Sequence, residues 1–163
     1  DRYRRYQRLF TTPNVHIEKA VASVASPATV TIDELFAQIE SAPPHRVLVS
    51  MDIEGSEYDV VDDLLGHHDA INMIVTEFHH VGRHLDQFER SISQIKRFFD
   101  LVHLHGNNCA PYNHDLDLPE VLELIFVHRS LMPADSQYSS DDRPLPGLDV
   151  PNCPGSPDYV IRL

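Results

Sequence analysis

Two hydrophobic periods alternate along the chain, and the alternation predicts its elements. Val15 to Val21 alternates apolar and polar residues like a strand. A short extended stretch around Ala28 to Thr31 leads into Thr31-Ile32-Asp33-Glu34, which has the spacing of a capping box. Leu35, Phe36 and Ile39 then mark the buried stripe of a short helix that Pro43-Pro44 ends. Val47 to Met51 is a continuous apolar run, the pattern of a parallel strand covered on both faces.

The next helix is predicted to open at Ser56-Glu57-Tyr58-Asp59, again with capping-box spacing. It carries Val60, Val61, Leu64 and Leu65 and closes at Gly66. Ile71 to Thr76 reads as a second buried strand running into Glu77-Phe78-His79-His80. The strongest helical pattern places Leu85, Phe88, Ile92, Ile95 and Phe98/Phe99 at steps of three and four. Leu101 to His105 and Val121 to Val127 supply two further strands. Strand and helix in alternation imply an α/β doubly wound sheet.

From Pro133 onward six prolines fall in 31 positions, among several Ser and Asp residues. The organisation expected is therefore a domain over residues 1–132 and a Pro-rich, surface-hugging tail over 133–163 with little regular structure. The opening residues, Asp1 to Phe10, read as the later part of a helix, as in a fragment or a processed product.

Composition narrows the function. A hydrophobic fraction of 42% over 163 residues suits one soluble domain with a real core. The formal charge of −12, without a basic stripe, argues against nucleic acid or an anionic membrane surface as partner. It suits a small-molecule ligand, a cationic one included, and charge alone does not choose. Two cysteines, Cys109 and Cys153, cannot make a disulfide framework or a four-thiolate zinc site, and whether they pair is left open. With no secretory leader or membrane span in the pattern, the default compartment is the cytoplasm.

Three predicted strands end in chemically capable clusters: Asp52 with Glu54, Glu77 with His79 and His80, and His105 with Asn107 and Asn108. Ligands of α/β sheets bind outside the carboxyl ends of parallel strands, so these clusters form the candidate site. Each has a structural alternative. Asp52 and Glu54 can serve the following helix dipole, Glu77 can pair with an arginine, and Asn107 and Asn108 can be turn residues. Histidine is the usual general base near neutral pH, and asparagine amides suit sugar-like hydroxyls. His67-His68, after Gly66, is expected to serve the helix C-terminus. No G-x-G pair, G-x-S-x-G elbow or H-E-x-x-H motif occurs. The mixed Asp/Glu/His set also suits a hard or borderline divalent metal, and no metal is assigned.

The order of these motifs resembles the FkbM-type methyltransferases. Val47 to Met51 followed by Asp52-Ile53-Glu54-Gly55-Ser56-Glu57 is similar to that family's strand and D-x-E-G-x-E signature. Thr31-Ile32-Asp33-Glu34-Leu35 is similar to its T-x-D-E-L element, Glu77-Phe78-His79 to its E-x-H, and His105-Gly106-Asn107-Asn108 to its H-x-N-N. The resemblance extends from about Val15 to Leu131. It implies a Rossmann-like class I methyltransferase sheet, mostly parallel with a closing antiparallel strand, of which this chain resembles the carboxyl-terminal two-thirds without the glycine-rich loop. It implies S-adenosylmethionine as cofactor and O-methylation of a sugar or small natural-product hydroxyl. Asp52 and Glu54 would then lie toward the cofactor, with Asp52, Glu77 and His79 catalytic. His80, His105, Asn107 and Asn108 would hold the acceptor. A non-catalytic glycan- or protein-binding module and a metal-dependent hydrolase are the rival readings.

Overall fold

A computed structural model describes residues 17–39 and 47–163. Its elements are β1 (Ala20–Val21), β2 (Thr29–Val30), α1 (Ile32–Phe36), β3 (Val47–Met51), α2 (Glu57–Leu65), β4 (Ile71–His79), α3 (Leu85–Ile95), β5 (Phe99–Gly106), β6 (Tyr112–Asn113), β7 (Leu118–Pro119) and β8 (Val121–His128). The breaker Pro43-Pro44, the helix expected over Asp1 to Phe10, and Val15 and His16 of the first predicted strand lie outside the described residues; of that strand's described part only Ala20–Val21 is extended.

Local chemistry sets the first helix as expected. The Thr31 hydroxyl accepts from the Glu34 amide at 3.2 Å, and the Glu34 carboxylate accepts from the Thr31 amide at 3.1 Å. Ile32 is its buried residue, whereas Ile39, expected in the stripe, lies beyond the helix and is exposed. The second predicted cap does not form. Ser56 makes no side-chain capping bond, and the Glu57 carboxylate takes the Ile53 and Gly55 amides instead. The cause is the turn before it: Glu54 and Gly55 both have positive φ, 57° and 105°. That turn brings the Ile53 and Gly55 amides onto Glu57.

The main sheet has the order β3-β4-β8-β5. β3 runs parallel to β4, while β8 is antiparallel to both β4 and β5. It follows that β3, β4 and β5 all point the same way, with β8 inserted against them. Their carboxyl ends therefore share one rim.

The two faces of the sheet are covered differently. Ile74, Thr76 and Phe78 of β4 pair with Phe126, Leu124 and Leu122 of β8, so these six side chains share a face. They are buried, and the apolar ones cluster with Val60, Val61 and Leu64 of α2 and Ile95 of α3. The opposite face carries the row Glu77, Glu123, His105 across β4, β8 and β5. Among the described residues this second face is met by coil from the carboxyl-terminal segment, not by a helix. The fold is thus α/β with a mixed sheet, and the expectation of helices on both faces is not met there. β3 also departs from its pattern. As the end strand it leaves Leu48 58% exposed, so its apolar run is not covered on both faces.

The segment after Pro133 carries only an isolated bridge between Arg143 and Ile161, as its composition predicts. It is nonetheless tied down. Ile161 joins the core, His103 bonds Asp149 at 2.8 Å, and Cys109 forms a disulfide with Cys153. The pairing left open by the sequence is therefore made. Among the described residues no helix is long and apolar enough to cross a membrane.

Candidate active site

Two of the three expected clusters meet around His79, the last residue of β4. Glu57 lies at the first turn of α2 and is fully buried. Its Oε1 is 3.0 Å from His79 Nδ1. A carboxylate can only accept, so Nδ1 carries a proton and Nε2 faces outward. Around Nε2 stand Glu54 Oε2 at 3.6 Å, Asp52 Oδ1 at 3.7 Å and Glu77 Oε2 at 3.8 Å. The imidazole itself is buried, while Asp52 and Glu54 are exposed, so Nε2 sits at the boundary between core and surface. The Tyr58 hydroxyl donates to the His79 carbonyl at 2.7 Å and fixes the strand end. Burial first, then the charges of Glu57 and Glu120, push the Tyr58 hydroxyl far above its ordinary value, so it remains a donor.

Glu77 is held by Asn107, whose Nδ2 donates to Oε1 at 2.6 Å. β8 lies between their strands, so this contact carries the third cluster to the first two. Desolvation raises the Glu77 carboxyl above its ordinary value. The Asn107 bond and His79 oppose that shift, and the charges of Asp52 and Glu123 add to it.

The remaining expected residues have other partners. His80 is exposed, with φ of 55°. Its ring centroid is 6.4 Å from that of His79, and it lies over Gly55. His105 is buried between two carboxylates, with Nδ1 3.0 Å from Glu123 and Nε2 2.8 Å from Asp158. Both ring nitrogens are occupied, which leaves none for a ligand. Asn108 is buried and turned toward the tail, donating to the Cys153 carbonyl at 3.0 Å and accepting from the Cys153 amide at 2.8 Å. His67 bonds Asp33 at 2.7 Å and stacks on Phe36, and His68 stacks on Phe98, so both serve packing.

Glu57 is the site residue the sequence reading passed over. It sits inside the D-x-E-G-x-E segment, but the reading of Ser56-Glu57-Tyr58-Asp59 as a capping box gave it no role of its own. The tail partners Asp149 and Asp158 carry no periodic signal at all.

Two groups among the described residues bring metal-ligating atoms within 4.8 Å of one another: Asp52, Glu57 and His79, and His68, Asp69 and His128. In the first, Glu57 already accepts from two amides and from His79. The second lies at the other end of the sheet, beside the start of β4.

The fold and this rim define an α/β protein with a histidine–carboxylate site at the carboxyl ends of parallel strands. Residues 7–109 match the family model for the methyltransferase FkbM domain. The match covers more than half of the chain, and the chain belongs to that family. It includes β1 to β5 and stops before β8, short of the span the motifs suggested. No curated protein and no solved structure matches the chain.

Proposed function

We propose that the chain is the acceptor-side part of a methyltransferase that uses S-adenosylmethionine to O-methylate a sugar or other small hydroxyl compound, with His79 as general base. The observation that carries this reading is the His79 geometry. A buried carboxylate holds Nδ1 on one side, and Nε2 on the other faces Glu77 and the exposed carboxylates of Asp52 and Glu54. Family membership and the shared direction of β3, β4 and β5, which puts their carboxyl ends on one rim, support it.

The donor set fits the cationic sulfonium of such a cofactor. Asp52, Glu54 and Glu77 surround one point, and among the described residues no Lys or Arg pairs with them. When bound, the cofactor supplies an electrophilic methyl group to an in-line nucleophile. The chain supplies the rest. His79 Nε2 removes the acceptor hydroxyl proton, and Glu57 stabilises the imidazolium that results. Asp52 and Glu54, at the exposed end, orient the donor by charge. Glu77 and Asn107, held to each other, position the acceptor hydroxyl opposite His79, where alignment contributes much of the rate. His105 and Asn108 act indirectly, by keeping the end of β5 in place.

The test is transfer of labelled methyl from S-adenosylmethionine to a panel of sugar and small-molecule hydroxyl acceptors. His79→Gln is expected to lower kcat by ~10²–10⁴-fold. Glu57→Gln, which can present an amide proton to Nδ1 and reverse the tautomer, is expected to lower it comparably while KM for the acceptor changes little. Unchanged kcat in both folded variants would remove His79 as base. Calorimetric titration with S-adenosylhomocysteine separates cofactor binding from turnover.

A further inference from the structure

A cavity of about 600 Å³ lies at the far edge of the sheet, between β5 and the carboxyl-terminal segment. That is the size of a small-molecule site. Leu101, Leu104 and Met132 give it an apolar wall, and Lys96, Tyr138 and Arg143 give it polar atoms.

Arg143 is the unusual member. It is 6% exposed, and its backbone is clamped by paired bonds to Ile161 at 2.8 and 3.0 Å. Its guanidinium donates to the Asp141 carbonyl, yet Nε is buried with no hydrogen-bond partner. No carboxylate of the described residues pairs with it. Two nearby acids are committed elsewhere: Asp100 to Arg129 and Tyr138, and Asp149 to His103 and the Leu145 amide. A buried cation without a counterion is costly, and this one survives in a chain of formal charge −12 that has many carboxylates to offer.

We propose that this cavity is a binding site for a small organic oxyanion, a carboxylate or phosphate ester on an apolar body, with Arg143 as its counterion. A guanidinium binds such a head in forked geometry, Lys96 adds charge at the mouth, and the leucines and Met132 receive the body. The site is separate from the His79 cluster and independent of methyl transfer. The overall negative charge of the chain repels anions in general, so binding here would be due to the local cation.

Calorimetry with benzoate, phenyl phosphate and the neutral benzyl alcohol, at matched ionic strength, tests it. One or both oxyanions are expected to bind and the alcohol is not, and the stronger of the two identifies the head group. Arg143→Met is expected to weaken binding roughly ten- to hundredfold, as for loss of a charged hydrogen-bond partner, and Arg143→Lys less. Diffraction from wild-type crystals soaked in 4-bromobenzoate is expected to place bromine between β5 and the tail, and it decides the matter if R143M does not fold. No oxyanion binding, equal binding to folded R143M, or bromine elsewhere overturns the proposal.

Discussion

At the scale of single residues, the site is built on an uncomfortable backbone. Glu54 is a non-glycine residue at φ of 57°, where the left-handed conformation costs about 1–2 kcal/mol. A glycine there would remove that cost, at the expense of about 1 kcal/mol of added freedom in the unfolded chain. Glu54→Gly is therefore expected to leave the urea midpoint nearly unchanged. Turnover should fall, because the carboxylate 3.6 Å from His79 Nε2 is gone. A side chain kept only for folding would give the opposite pattern, a lower midpoint with activity intact. Gly55 differs: a Cβ there would meet His80 at an ordinary 3.6 Å, so its φ of 105° is what requires glycine.

Among elements, the periodic ones were legible and the aperiodic ones were not. The capping box at Thr31, the start of β4 and the α3 stripe as far as Ile95 follow from local spacing, which is a property of sequence alone; β4 runs on past the expected Thr76 to His79, and Phe99, expected in the helical stripe, opens β5. The pairing of β8 between β4 and β5 is not local, and neither is the departure of His105 and Asn108 from the rim. Both residues are claimed by a segment more than 40 positions away whose composition says only that it lacks its own structure. That contact makes a pH prediction. Neutral imidazole donates from one nitrogen only, whereas His105 faces carboxylates with both, so the charged form suits the site. Desolvation opposes the charge, but the bonds to Asp158 and Glu123 outweigh it and hold the His105 value above the ordinary 6.5. A raised value means that the folded chain keeps this proton longer than the unfolded chain. The stabilisation is complete below 6.5 and is lost as pH rises through the folded value. The urea midpoint of the wild type is expected to fall over that window, and Asp158→Asn to flatten the fall. An equal slope in a folded D158N would show that this staple is not what titrates.

For the whole molecule, the question is what keeps a Pro-rich segment on the sheet. Its hold is distributed: Ile161 in the core, two histidine–carboxylate contacts, and the Cys109–Cys153 bond across 44 residues. Closing a loop of that length removes unfolded-state entropy worth about 4 kcal/mol, several times a single exposed hydrogen bond. Such bonds persist in oxidising surroundings, which sets this one against the cytoplasmic expectation drawn from the sequence. Two measurements follow. Reduction should lower unfolding stability by about 2–4 kcal/mol. It should also expose the amides near Asn108 and the Cys153 loop to hydrogen exchange before those of β4, since side-chain bonds from Asn108 and Asn152 are what hold that loop once the sulfurs part. Protein trapped in acid from its source and alkylated without reductant should show no modified cysteine. Alkylation at both Cys109 and Cys153 would place the native chain in a reducing compartment, with the tail held only by its hydrogen bonds and Ile161.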